Sequence, residues 1–373
     1  MYRLAIKSAI LCLSMLLATA VCAAAVVTVG LTGQYPTRYS AVRVAAAGDT
    51  VQIDYNNGIP CKGPYDPNCD PNGGHRSDCV WHVDNLTIVG VNGQPILDAS
   101  GEVIERGIFN PYGAVGVISN LERRGAATQP EQRGNGGGVR VDSGSTAPPA
   151  GDDITIQYCY IHHNEDGVLT ANVGPGTGES YLSANPYITC LHDEFAYNGV
   201  NGDGHTYNMS TGFDGNETTT FTLAYSWSHD ANIGHTVKTR APVNNVHYNL
   251  ITDEVGATSH MLNFPLGGNT YVVGNAIYKG ARTNSNANKN GMLWRHVYDN
   301  TPTDPAYGLP NEHLHFINNT VVLSADGCSP AYVIASCFNG DVSSCAAPNN
   351  GLVLSVNAVV ERFQFASFQG SGI

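Results

Sequence analysis

Four short segments decide the fold: Tyr248-Asn249-Leu250-Ile251, Gly274-Asn275-Ala276-Ile277, Asn318-Asn319-Thr320-Val321 and Val356-Asn357-Ala358-Val359. Each sets an asparagine after alternating apolar residues and a β-branched or apolar residue just beyond it. The aligned asparagines lie 26, 44 and 38 residues apart, and Ile161, Phe195 and Trp227 continue the phase of Ile251 upstream, at intervals of 34, 32 and 24. A repeat of this length with strand periodicity and no helical pattern marks the stacked turns of a solenoid, the uneven intervals locating loops between strands. One asparagine per turn at the same bend lets each side-chain amide donate to the next along the rod. These four asparagines are read as structural. A two-layer globular fold is the alternative architecture.

Composition agrees with strands and turns. Of 373 residues 42% are hydrophobic and only 13% charged, with 42 glycines, so a large core can be buried but the charged residues that coat helical bundles and coiled coils are scarce. The net charge of −13, with 18 Lys+Arg, disfavours nucleic acid and anionic lipid as partners, because both need clustered cations.

Arg3 and Lys7 precede an apolar run from Ala9 to Ala18, and small residues follow through Cys22, Ala23, Ala24 and Ala25. This is the layout of a secretory signal peptide over residues 1–24, leaving one domain over 25–373 in a secreted or periplasmic protein. A lipoprotein anchor at Cys22 is the rival reading, and Val21 fits it poorly. No later run approaches the roughly 20 apolar residues of a spanning helix. Beyond the signal stand Cys61, Cys69, Cys79, Cys159, Cys190, Cys328, Cys337 and Cys345, an even count that suggests disulfides in an exported chain. They cluster as three, two and three, so short-loop bridges leave one over in each outer cluster; either a middle cysteine pairs outward or two thiols stay free. No spacing fits a metal site. Tyr39 to Ala47 reads as a short helix stopped at Gly48, with the first strand at Thr50 to Ile53. Tyr55 to Cys79 reads as a stapled loop, in which Asp66, Asp70 and Asn72 form a turn cluster in preference to a calcium site.

The opening Tyr39 to Asp49, Ile161-His162-His163-Asn164-Glu165-Asp166-Gly167, and Gly234-His235-Thr236-Val237-Lys238-Thr239-Arg240-Ala241 resemble exported bacterial proteins of the pectate-lyase-like superfamily. The resemblance covers nearly all of the mature chain. It implies an all-β fold, a right-handed parallel β-helix (a single-stranded solenoid) with a short N-terminal capping helix.

Stacking brings Gly204 to Ser210, Gly234 to Arg240 and Ser259 to Phe264 into register, and Gly291 to Arg295 less surely. If Val237, Leu262 and Trp294 point inward, alternation sends Thr236, Lys238 and Arg240 outward, with Asn208 on the preceding turn and Asn263 and Arg295 on the following ones. The same logic puts His205, His235 and His260 in a second column on the inward side, or at its edge next to a turn, where histidines hydrogen-bonded in the coil are the bland reading and His235 the best candidate for chemistry. Cations converging on an acidic body favour an acidic polysaccharide, its carboxylate held by Arg240 or Arg295. The bland alternative is that Lys238 and Arg240 neutralise Asp230, Asp253 or Glu254.

β-Elimination from a uronate needs a carboxylate neutraliser, a base and an acid. Lys238 is the candidate base beside Arg240, and Tyr207 or His235 the candidate acid; Asn208, Asn263, Arg295 and His205 are candidate substrate-binding residues. The Lys238-Thr239-Arg240 segment also resembles the surroundings of the base lysine in chondroitinase-B-type and alginate lyases. It departs from them where their calcium-holding acids would stand, at Ile233-Gly234-His235, so no cofactor is assigned, and calcium, though possible, has no acidic ligand cluster to support it. A hydrolase would need paired carboxylates, and Asp203, Asp230 and Asp253 lack the paired-aspartate motif. A C5-epimerase shares the proton abstraction, and a non-catalytic glycan-binding protein is the alternative of a different class. The reading is of a monomer.

Overall fold

In the computed structural model of the chain, the described residues are 24–355 except 37, 43, 56–79, 82, 102–103, 105, 112–115, 129–135, 143–152, 172–186, 201–205, 213–219, 266, 281–289, 296–312, 324–333 and 338–351. Three parallel sheets run the length of a right-handed β-helix. The first has 11 strands, from Val26–Val29 to Leu352–Ser355; the second has 8, from Ile96–Asp98 to Thr320–Leu323; the third has 9, from Val80–Trp81 to Ile334–Cys337. One turn takes one strand from each, as in Thr220–Ala224, Trp227–His229 and His235–Thr239, and the next repeats the path with Val243–His247, Leu250–Asp253 and His260–Phe264. The chain opens one strand earlier than expected: Val26–Val29 lies parallel to Thr50–Ile53 at the edge of the first sheet. The helix between them is Arg38–Val42, shorter than the expected Tyr39 to Ala47.

The strands of the first sheet alternate between buried and part-exposed residues, as Val243–His247 does, because one face meets the core and the other water. Phe221, Leu223, Val246 and Val272 fill the interior from this side, and Phe195, Ile251 and Ile277 from the second sheet. Facing them from the third sheet are Val139, Val168, Met209, Val237 and Leu262.

The expected asparagine ladder exists. The backbone N–H groups of Asn249 and Asn275 donate to Oδ1 of Asn275 and Asn319, and each amide Nδ2 donates to the same acceptors at 3.0 and 2.9 Å. Upstream the same column continues in other chemistry: Cys159 N–H donates to Asp193, Asp193 N–H to Ser226, and Ser226 N–H to Asn249. A second ladder, Asn164, Asn198 and Asn208, lines the bend between the second and third sheets. Asn357 lies outside the described residues.

Two expectations need correction. Ser228, not Trp227, aligns with Phe195 and Ile251; Trp227 pairs with Glu194 and Leu250 and is 38% exposed. Cys159 and Cys190 are free, buried thiols. Cys190 stands opposite Ile156, whereas Cys159 is past the bend, with its Sγ 3.2 Å from the Gln157 carbonyl, so the middle pair forms no bridge. Among the other six cysteines beyond residue 24 only Cys337 falls in a described strand. Asp66, Asp70 and Asn72 lie outside the described residues.

Candidate functional site

Third-sheet strands differ from the others in that every residue of His235–Thr239 and of His260–Phe264 is buried. The cause lies in how the chain enters these strands. Met261 and Leu262, consecutive residues, both sit in the hydrophobic core. Gly138, two strands before Asn208, is held to glycine because a Cβ there would come 2.6 Å from Ile161 Cγ2, inside the coil. Thr236 belongs with these inward residues: it is fully buried and its hydroxyl donates to the Met261 carbonyl. Two successive inward positions break strict alternation. The residue before them and the residue after them therefore share the outer face.

That break assembles the site. Backbone pairing puts Leu169, Ser210, Lys238, Asn263 and Leu293 in one row. His235 pairs with His260 across the row that opens these strands. The ring of Tyr207 stacks on His235, centroids 5.1 Å apart and 9° from parallel. Lys238 Nζ donates to Tyr207 Oη at 2.8 Å and lies 4.4 Å from the centre of the same ring. The imidazole of His235 reaches Asn263 on the following turn, Nε2 to Nδ2, at 2.8 Å. His235 was expected to face inward and in fact stands beside Lys238.

The network fixes the imidazole. Ser259 Oγ donates to the Gly234 carbonyl at 2.8 Å and accepts from His235 Nδ1 at 2.8 Å, which leaves Nε2 to accept from the Asn263 amide. Burial first, then the positive charge of His260, Lys238, Arg240 and Lys279, holds His235 well below the usual histidine range, so the ring is neutral. One turn before, Asp166 accepts the Tyr207 backbone N–H at 2.8 Å. Burial drives its carboxyl well above the usual carboxylate range, against the hydrogen bond and the charges of Arg140 and Lys238. Asp166 Oδ2 and Asn263 Oδ1, both buried, have no hydrogen-bond partner among the described residues.

The remaining candidates fall differently. Asn208 is fully buried and donates its amide to the His229 carbonyl at 2.7 Å as part of the inner ladder, so it holds the coil and does not face a ligand. The expected register with the preceding turn slips by two: Ser210, not Asn208, stands beside Lys238. His205 lies outside the described residues. Arg240 is half-buried, just past the strand, with its backbone N–H on the Thr211 carbonyl. Arg295 is two residues beyond Leu293, the partner of Asn263, and pairs with Cys337 on the next strand. Two of the three carboxylates that could have absorbed the cations are held elsewhere: Asp230 by His229 and by the backbone N–H groups of Glu254 and Val255, Asp253 by Lys279. Sequence reasoning does not reach Asp166 or Ser259 as site residues: both stand inside quoted segments, but neither lies in the row of Lys238.

Chemically the cluster offers an amine, a phenol, a neutral imidazole and a carboxyl within one buried patch. Among the described residues no group of three or more His, Cys, Asp or Glu is placed to hold a metal ion. No protein-family model, no curated protein and no solved structure matches the chain, so the chemistry of these side chains is what speaks for function.

Proposed function

We propose that the chain is an exported polysaccharide lyase that cleaves a uronate-containing glycan by β-elimination. The observation that carries the reading is the 2.8 Å hydrogen bond from Lys238 to Tyr207, stacked on a neutral His235. Lys238, as the free amine, takes the proton on the carbon next to the uronate carboxylate. Tyr207 gives its phenolic proton to the leaving glycosidic oxygen as the double bond forms. The proton then passes from Lys238 to Tyr207 along the hydrogen bond that joins them, which restores both groups. Arg240, half-buried at the end of the strand, neutralises the substrate carboxylate. Asp230 and Asp253, already engaged, are poorly suited to the paired-carboxylate chemistry of a hydrolase.

One observation favours a second reading. Lys238 is only 5% exposed, as befits a polar cluster that braces the third sheet without turning anything over. Incubation with a panel of uronate polymers separates the two. The lyase reading expects ultraviolet absorbance from an unsaturated uronate, lost in Lys238→Ala with the fold retained by circular dichroism. The bracing reading expects no product from the native protein and a lower melting temperature in the variant.

A further inference from the structure

Four turns carry an aromatic ring at a bend where other turns place small or amide residues. Between the first and second sheets one residue per turn takes left-handed backbone angles. Asn120, Gly274 and Asn318 do so at φ of 54°, 69° and 54°, as such residues do readily. Tyr158, His192, Tyr225 and Tyr248 adopt the same conformation at φ of 54° to 57°, which is unfavourable for a bulky side chain. Their rings stack along the rod with centroids 5.0, 5.2 and 5.6 Å apart, which offsets part of that strain. The three tyrosines nonetheless remain more than half exposed.

This stack is one wall of a groove of about 570 Å³ that runs parallel to the rod axis. The opposite wall is the first row of the second sheet, Tyr160, Glu194, Trp227 and Leu250, which are paired turn by turn. Tyr160 and Trp227 each lay one face on a histidine two residues on, His162 at 4.0 Å and His229 at 3.8 Å, which leaves the other face for the groove. Trp227 is fixed further by donating its indole N–H to Thr252 Oγ1 at 3.0 Å. The two open faces stand two strand spacings apart, roughly 10 Å, about the length of two sugar rings in an extended chain. Between them is Glu194, and the described lining includes no lysine or arginine.

We propose that this groove binds an uncharged glycan chain lying along the rod, its sugar faces on Tyr160 and Trp227 and its hydroxyls on Glu194 and the tyrosine edges. Aromatic faces take the apolar face of a pyranose, and a carboxylate takes its hydroxyls; a polyanion would meet the Glu194 carboxylate in a lining without lysine or arginine, the nearby His229 being shared between Glu194 and Asp230. The groove lies on a different face of the coil from Lys238 and does not depend on the lyase reading. Affinity electrophoresis through gels containing mannan, unsubstituted xylan or β-glucan tests it. The native protein should be retarded by at least one of these polymers, at least tenfold more weakly in Trp227→Ala/Tyr160→Ala, and near the native level in Trp227→Phe/Tyr160→Phe, which keeps both faces. Retardation by no neutral polymer, or retardation equal in the native protein and the alanine variant, would overturn the proposal.

Discussion

His229 ties the coil's stability to pH through two carboxylates. Burial opposes its charge, yet hydrogen bonds to Asp230 at 2.9 Å and Glu194 at 3.3 Å outweigh that cost and raise the imidazole above its ordinary value. A raised folded value means that the stabilisation is fully present below pH of about 6.5 and is lost as pH rises through the higher folded value. Melting temperatures measured from pH 6 upward should therefore fall in the native protein and fall less in His229→Gln; parallel curves would show that the histidine is not the titrating group. Lys279 makes a sharper prediction. Its Nζ is 3.3 Å from Asp253 Oδ2, both side chains are fully buried, and it also donates to the Thr258 carbonyl. Lys279→Met leaves a buried carboxylate without its cation and should cost about 3–5 kcal/mol in urea unfolding, most of it recovered when Asp253→Asn is added.

Each ladder rung satisfies more than one backbone or amide group, so its loss is felt by the whole element. Asn275 accepts two hydrogen bonds from Asn249 and donates to the Val246 carbonyl at 2.8 Å. Asn275→Ala should lose about 2–5 kcal/mol by chemical unfolding, since several buried partners are left unsatisfied; a loss within error of zero would mean that water takes the amide's place. Gly234 ties an element to the site. It has φ of 78°, and a Cβ there would stand 2.2 Å from the Thr206 carbonyl oxygen and 2.6 Å from Tyr207 Cδ1. Gly234→Ala should displace Tyr207 from His235, and on the lyase reading it abolishes uronate cleavage while the protein still melts cooperatively. The coil itself was readable because Asn249, Asn275 and Asn319 repeat one chemistry at one bend. Cys159, Asp193 and Ser226 do the same work with different atoms, so the upstream turns kept no common letter, and Trp227 was placed one position out of phase.

On the scale of the molecule the three sheets divide the labour. The first is half-solvated, the second carries the aromatic groove at its leading edge, and the third buries the polar cluster. Lys238, Tyr207, His235 and Asn263 were all nameable from the sequence, because loops of similar wording recur on successive turns. The register of Lys238 with Asn263 was legible as well. The place of His235 and Tyr207 beside Lys238 was not, because alternation is the only rule a strand pattern supplies, and two inward residues in succession in His235–Thr239 and His260–Phe264 override it. The groove escaped for a related reason: an aromatic precedes each ladder residue at Tyr158, His192, Tyr225 and Tyr248, but of the residues that follow, Cys159, Asp193, Ser226 and Asn249, only the last is an asparagine. The phenol of Tyr207 is where elimination and mere bracing part most clearly, since removing one oxygen leaves the stack on His235 intact. The measurement to make is the rate of unsaturated uronate formation by native protein and by Tyr207→Phe, with melting temperatures of both alongside. Elimination through this site predicts product from the native protein and at least a hundredfold slower formation by a variant that melts within a few degrees of it; no product from folded native protein on any uronate polymer, or equal rates in the two, would contradict it.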